Sequence, residues 1–375
     1  MSINFFIFFL TWGVFVPYWT GWLVSEKALG VADAGDIMGF GLITRSLSTL
    51  LFYPLLSTRW NPATVLILLT AGTFVALLFY IPASSYPVLL IVTIIFCAIY
   101  PCLLPAMENA AGSLVQKGRI YYGKSRSYGS LGYIAGLLLV SALSGPFGEK
   151  TIYSVMVAGV FLLILLRFFP APDTLTGKSS PDRSPKESLR TLFGDKRFSI
   201  VFFIVLLLHG SHASYYSYGY LYLQDLGFDG LSIGILLNIA VLFEILFFSL
   251  ADRFFSDWKS SSLMLIGAIG TTVRWILYGF PNLIAFVISQ SLHALSFAMT
   301  HYAFIRFITK TFTPKQNVII QSLYSALAMS LSQAFMTLVG GRLYEWEPKF
   351  AFLGMLVCTL PAIGILLGTR NRFNY

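Results

Sequence analysis

The sequence predicts an all-α polytopic membrane protein, with twelve transmembrane helices arranged as two pseudo-symmetric halves of six. Three observations predict it. Of the 375 residues, 57% are hydrophobic and only 11% charged, whereas a soluble domain carries about a quarter charged residues. Apolar runs of about twenty residues recur along the whole chain, each enough to cross roughly 30 Å of hydrocarbon as a helix. The second half also opens on a segment that echoes the first.

Apolar runs and their breaks place the first six spans at about 4–26, 36–57, 62–82, 87–112, 125–145 and 149–169. The second six fall at about 198–223, 230–251, 261–279, 282–308, 316–339 and 348–369. Residues Met1 to Leu10 carry no basic leader region, and no small-residue cleavage site follows near residue 25. The first run is therefore expected to be a retained helix. One long polar stretch, 171–197, contains "APDTLTGKSSPDRSPKESLR"; its Pro, Ser and charge predict a flexible linker. The expected organisation is a bundle over 1–170, a linker over 171–197 and a second bundle over 198–375.

Charge placement gives the orientation. With the N-terminus in the cytoplasm, nineteen of the 25 Lys and Arg residues fall in cytoplasmic loops, linker or tail, among them Lys117, Arg119, Lys310 and Arg370. The outer loops hold Lys27, Lys150, Arg342 and Lys349. The bias predicts both termini on the cytoplasmic side of a bacterial inner membrane. It also accounts for the net charge of +9 without nucleic acid, since no basic patch decorates a soluble fold. Cys97, Cys102 and Cys358 lie in apolar runs, with neither a disulfide framework nor metal spacing. No metal or cofactor is expected, and the bilayer-embedded unit is expected to be a monomer.

Internal repetition supports the two halves. "WGVFVPYWTGWLVSEKALG" in span 1 and "HGSHASYYSYGYLYLQDLG" in span 7 superpose on a shift of 197 residues. Gly13 then meets Gly210, Tyr18 meets Tyr215, Trp19 meets Tyr216, and Leu29-Gly30 meets Leu226-Gly227. Two repeated halves around a central site suit alternating access in a secondary transporter.

Polar residues at hydrocarbon depth cost several kcal/mol unless they face a partner or a water-filled cavity. Here they are Arg45, Glu108, Glu244 and Arg274, with His209, His212, His293 and His301, and Arg126 at the start of span 5. Glu108 and Arg126 fall at similar depth on antiparallel neighbours, so a charge-assisted bond is feasible. Such a pair fixes two helices or forms a substrate or proton site. Arg45 and Glu244 occupy corresponding helices of the halves, and could gate transport. Tyr18, Trp19 and Trp22 of span 1, with Tyr215, Tyr216 and Tyr218 of span 7, offer rings and hydroxyls to a small organic solute. Packing or an interfacial belt would use the same rings. The chain lacks H-E-x-x-H and G-x-S-x-G, so an enzyme is not expected.

"YYGKSRSYGSLGY" (121–133), "GTTVRWI" (270–276) and "SLHALSFAMTHYAFIRFITK" (291–310) resemble the lactose-permease group of the major facilitator superfamily. "PYWTGWL", Arg45, "GSHASYY", Glu244 and "VRW" extend a closer resemblance, to probable 3-phenylpropionate transporters, over nearly the whole chain. The resemblance implies the major facilitator fold. It also implies that Glu108 and Arg126 bind substrate, that Tyr133 replaces a tryptophan stacking platform, and that Arg274 and His293 belong to a proton site. Departures stand at Ser296, where the resemblance puts a proton-carrying carboxylate, at Gln290 in place of a lysine, and at Ile235 in place of an acid.

The expected function is thus proton-coupled uptake of a small aromatic carboxylate such as 3-phenylpropionate. Substrate is expected at Tyr18, Trp19, Trp22, Glu108, Arg126, Tyr133, His212, Tyr215 and Tyr216. Coupling or gating is expected at Arg45, Glu244, Arg274 and His293, with Glu244 the first choice of proton carrier. The alternative is a proton symporter of an oligosaccharide or a nucleoside.

Overall fold

A computed structural model describes residues 1–177 and 189–373. Residues 178–188 of the expected linker lie outside the described residues; short helices Asp173–Thr176 and Leu189–Gly194 flank them. Among the described residues, eleven helices are long and apolar enough to cross a membrane, and a twelfth apolar helix is shorter. In chain order they are α1 Ser2–Ser25, α2 Val31–Arg59, α3 Pro62–Leu78, α4 Tyr86–Gln116, α5 Tyr122–Phe147 and α6 Lys150–Arg167. The second six are α7 Lys196–Asp225, α8 Gly230–Phe255, α9 Ser260–Tyr278, α10 Leu283–Thr311, α11 Pro314–Trp346 and α12 Phe350–Thr369.

The shorter helix is α3, at 17 residues, and it ends before the expected residue 82. Its last turns tighten, with Tyr80 and Ile81 N–H groups bonded to Leu77 and Leu78 carbonyls. Lys27 Nζ donates to the Tyr80 carbonyl at 2.7 Å, holding the chain where it leaves the helix.

The described chain forms two compact units. The first holds Met1–Asp182 and Ser217–Gly234; the second holds Arg183–Tyr216 and Ile235–Tyr375. The division therefore cuts through α7 as well as the linker region. α7 itself is broken: the helix runs Lys196–Gly210, turns at Ser211 and His212, and resumes at Ala213. The His212 N–H bonds to His209 O, three residues back, a tighter turn than the α-helical ladder makes.

In the first unit α1 packs backbone to backbone on α5. A Cβ at Gly13 would lie 2.6 Å from the Tyr133 carbonyl oxygen, and Gly132 and Gly136 admit the Phe6 and Leu10 carbonyls as closely. Small residues are what allow helices to approach so closely in a membrane. Another face of α1 carries buried rings: Trp19 packs on Phe15, Trp22, Tyr80 and Phe96. Ser217–Gly234 joins this unit through Tyr220, whose ring stands edge-on to Tyr18 at 4.7 Å.

In the second unit the core gathers Phe198, Phe202, Met264, Phe304 and Phe307. The repeat read in the sequence has a packing counterpart. Gly210 of α7 faces Ser332 of α11, its virtual Cβ 3.2 Å from the hydroxyl, as Gly13 of α1 faces α5. Wider π-helical turns interrupt α2 at Ser48–Phe52, α10 at Ala294–Met299 and α11 at Tyr324–Leu331. Such insertions are frequent at functional sites.

Candidate functional site

Within each unit, polar side chains gather among apolar helices. In the first unit, Glu108 on α4 accepts from Arg126 Nε of α5 at 3.1 Å. Its other carboxylate oxygen accepts from the Tyr122 hydroxyl at 2.6 Å. Tyr122 stands one helical turn before Arg126, so one face of α5 supplies both donors. The Arg126 guanidinium lies over Phe9 at 4.2 Å and Phe5 at 5.7 Å, both from α1. The close α1–α5 packing puts those rings there. The pair remains about one-third exposed, at 33% for Arg126 and 31% for Glu108, so it is open to a solute.

Further along α1, the Arg45 guanidinium of α2 lies over Trp12 at 4.8 Å. Trp12 and Phe9 are half-buried. Tyr18, Trp19 and Trp22 are buried instead: the Tyr18 hydroxyl is 2.8 Å from Ser141 Oγ, and Trp22 stacks on Tyr153. Tyr133 is half-buried, and its backbone carbonyl fills the notch at Gly13. Glu149, at the start of α6, accepts from the Tyr220 hydroxyl at 2.5 Å and from Gln224 Nε2 at 3.1 Å. Burial raises its carboxyl above the ordinary range, against the opposing effect of those two bonds.

The second unit brings four elements together around Arg274 of α9, which is fully buried. One guanidinium nitrogen lies 2.7 Å from His293 Nδ1 and 3.4 Å from Ser296 Oγ. The other donates to Gln290 Oε1 at 3.2 Å. Arg274 Nε is buried with no hydrogen-bond partner among the described residues. The Tyr215 ring lies against the guanidinium at 4.1 Å. On the far side of His293, its Nε2 is 3.4 Å from Glu244 Oε2 of α8.

Donor capacity assigns the protons here. A guanidinium only donates, so His293 Nδ1 accepts and the ring's proton sits on Nε2, pointing at Glu244. His212 follows the same rule. Its Nδ1 lies 2.9 Å from the Leu208 carbonyl, which only accepts, and its Nε2 lies 3.1 Å from Ser296 Oγ. His212 therefore carries a proton on Nδ1, and its Nε2 faces the Ser296 hydroxyl, which can give or take a proton. His293 is neutral in this arrangement, and it stands between the charge of Arg274 and the Glu244 carboxylate.

Glu108 and Arg126 thus meet, as do Glu244, His293, Arg274, Tyr215 and His212, while Tyr216 stacks on His212 at 6.1 Å. Tyr122, Phe9, Trp12 and Tyr324 escaped the sequence reading. Tyr122 had a signal, its spacing of one turn from Arg126; Tyr324, deep in α11, had a weaker one in the polar run "QSLYSALAMSLSQ". Among the described residues, no group of three or more His, Cys, Asp and Glu side chains is placed to hold a metal.

The MFS_1 like family matches over residues 1–354. The chain is 28% identical over 371 residues to the "Probable 3-phenylpropionic acid transporter" of Escherichia coli (strain K12), covering 97% of this chain and 95% of the relative. It is 26% identical over 380 residues to the maltose permease of Geobacillus stearothermophilus, covering 98% and 93%. Among solved structures, the nucleoside transporter NupG superposes with a TM-score of 0.84 over 100% of this chain and 98% of that one, at 17% identity. The peptide transporter POT follows at a TM-score of 0.77, 12% identity, and coverage of 99% and 94%. At these identities the two structures bear on fold alone.

Proposed function

The chain belongs to the MFS_1 like family and is a multi-pass membrane transporter; on that premise we propose that it takes up a small aromatic carboxylate of the 3-phenylpropionate type together with a proton. The observation that carries this reading is the Arg274–His293–Glu244 chain. Arg274 is a buried cation with a spare donor, suited to a carboxylate, and its present counter-charge is a titratable acid. A proton on Glu244 removes that counter-charge, and a substrate carboxylate at Arg274 replaces it. Leaving a buried charge without its partner is unfavourable, so proton and anion each favour binding of the other.

The first unit supplies the other half of the reading. Glu108, Arg126 and Tyr122 offer hydrogen bonds, and Phe9 and Trp12 offer ring faces beneath Arg126 and Arg45. Tyr133 joins them as a stacking surface. Tyr18 reaches substrate once Ser217–Gly234 parts from the unit, because Tyr220 covers it, whereas Trp19 and Trp22 do so once their packing on Tyr80, Phe96 and Tyr153 opens. Arg45 takes the gating role. The work is transport without chemical conversion, in a bacterial inner membrane, with both termini cytoplasmic and the protein acting as a monomer. The relative named for 3-phenylpropionic acid supports this substrate class.

A second reading, an oligosaccharide symporter, is favoured by the partly open Glu108–Arg126–Tyr122 group and by the relative named maltose permease. Uptake of labelled 3-phenylpropionate and labelled maltose into proteoliposomes, with and without an imposed pH gradient, separates them. Protein-free vesicles and Glu244→Gln vesicles control for passive entry of the protonated acid. Saturable, gradient-driven entry of the aromatic acid is expected. Gradient-driven entry of maltose alone would replace the substrate assignment, and gradient-independent flux would remove the symport.

A further inference from the structure

All four histidines of the chain lie in the second unit, yet only His212 and His293 belong to the Arg274 cluster. The other two share one hydroxyl. Tyr324 Oη of α11 lies 2.6 Å from His209 Nε2 of α7 and 2.9 Å from His301 Nδ1 of α10. A tyrosine hydroxyl has one proton to give, so it donates to one imidazole and accepts from the other. The chain therefore has a direction.

Its ends are informative. His209 Nδ1 is buried with no partner among the described residues. His301 stands on the side of Glu244: Phe248, one turn after Glu244 on α8, packs edge-on to His301 at 6.0 Å. His293, Phe297 and His301 also form a continuous stack along α10, with neighbouring planes 13° and 8° apart. His301 lies nearer the end of α10, and His209 nearer the start of α7, than the Arg274 cluster does.

We propose that His301, Tyr324 and His209 form a proton wire, distinct from the Arg274–His293–Glu244 chain, that carries a proton from the Glu244 side of α10 into α7. In the competent tautomer His301 Nδ1–H donates to Tyr324, and the Tyr324 hydroxyl donates to His209 Nε2. A proton reaching His301 Nε2 makes an imidazolium. His301 Nδ1–H then breaks as a Tyr324 O–H forms, while the original Tyr324 O–H breaks as His209 Nε2–H forms. Tyr324 ends neutral, and the charge has moved from His301 to His209, where the proton is held on the imidazolium. The charged and titratable groups facing the wire are Glu244 toward His301, and His212, His293 and His301 toward His209.

The transport role rests on the symport reading, whereas the wire itself can be examined without any substrate. Full-length protein in lipid, labelled with ring-15N histidine, gives only four imidazoles to assign, and single His→Asn variants assign them. In wild-type protein the His209 and His301 signals should respond together on titration, because they share the protons of one chain. In Tyr324→Phe they should respond separately, with His212 and His293 unmoved. Independent responses in the wild type overturn the wire, whatever uptake shows. In proteoliposomes, Tyr324→Phe should lower gradient-driven net entry of labelled 3-phenylpropionate about tenfold or more while equilibrium exchange stays within about twofold. Equal loss of both modes, or of neither, refutes the transport role. Absence of gradient-driven entry in the wild type, with the two imidazoles still coupled, refutes the symport reading and leaves the wire standing.

Discussion

His293 Nδ1 lies 2.7 Å from a guanidinium nitrogen of Arg274, and that bond determines where a proton can be taken up. Protonating His293 would set an N–H against the N–H groups of a cation. The available acceptor is Glu244, reached through His293 Nε2 at 3.4 Å. In the proposed symport the imidazole is the neutral spacer and the Glu244 carboxylate the proton carrier.

Substitutions along this chain should be strongly non-additive. Arg274→Gln removes the cation on the far side of His293 from Glu244, and Glu244→Gln removes the carboxylate on the far side of His293 from Arg274. Each single change is expected to destabilise by about 1–3 kcal/mol, below the full value for a buried pair because the Glu244 side chain is 28% exposed. The double variant should recover most of that loss. A thermal-shift double-mutant cycle in detergent measures the coupling, and additive losses would show that the two charges do not interact.

Glu108 and Arg126 should behave in the opposite way. Exposed ion pairs contribute about 0–1 kcal/mol, so Glu108→Gln and Tyr122→Phe should shift the melting temperature little. Their effect belongs on substrate, as a rise in apparent KM of about tenfold, one hydrogen bond to a charged group amounting to roughly 1.5–3 kcal/mol. Unchanged KM with lowered stability would make the trio a structural clasp.

Two glycines at matching positions should differ in tolerance. Gly13→Ala drives a methyl to 2.6 Å from a backbone carbonyl, whereas Gly210→Ala meets the movable Ser332 hydroxyl at 3.2 Å. Overpacking costs about 1–3 kcal/mol; Gly13→Ala is expected to reach that range and Gly210→Ala to fall below it. Thermal unfolding of both variants checks the order.

Glu149 gives a pH dependence with a definite sign. Its carboxyl is raised by burial, so the protonated form suits the packed state. The stabilisation is fully present below the ordinary carboxylate range and is lost as pH rises through the raised value. Hydrogen-exchange protection factors over Ser217–Gly234 should therefore fall as pH rises from the ordinary carboxylate range through the raised value. Glu149→Gln should flatten the response, and a pH dependence surviving that change would place its origin elsewhere.

Much of this was legible in the sequence because membranes make periodic demands. Hydropathy alone marked the spans, and the rarity of charge at depth singled out Glu108, Arg126, Glu244 and Arg274. The pairing of Glu108 with Arg126 followed from antiparallel depth. Depth does not give rotation about a helix axis, however. That missing angle separates Phe9, under the Arg126 guanidinium, from Phe8, buried against Tyr100, although both stand in one aromatic run. It also hid Tyr324, whose partners lie on two other helices. The break of α7 at Ser211–His212 was invisible for another reason: neither residue is a helix breaker, and the tight turn depends on its surroundings.

The wide turn at Ala294–Met299 acts as a vernier on α10. Four α-helical residues turn the chain through about 400°, so rings at 293, 297 and 301 would otherwise slip about 40° around the axis at each step. A stretch of larger turns reduces the slip, and three side chains of ordinary spacing come into one file. Deleting a single residue from that stretch would leave every imidazole in the sequence and relax the backbone to ordinary α turns. His301 would then stand seven α-helical residues from His293, about 700° around the axis and so within about 20° of the same line. The wide turn thus adds a residue to α10 while keeping His301 in line with His293.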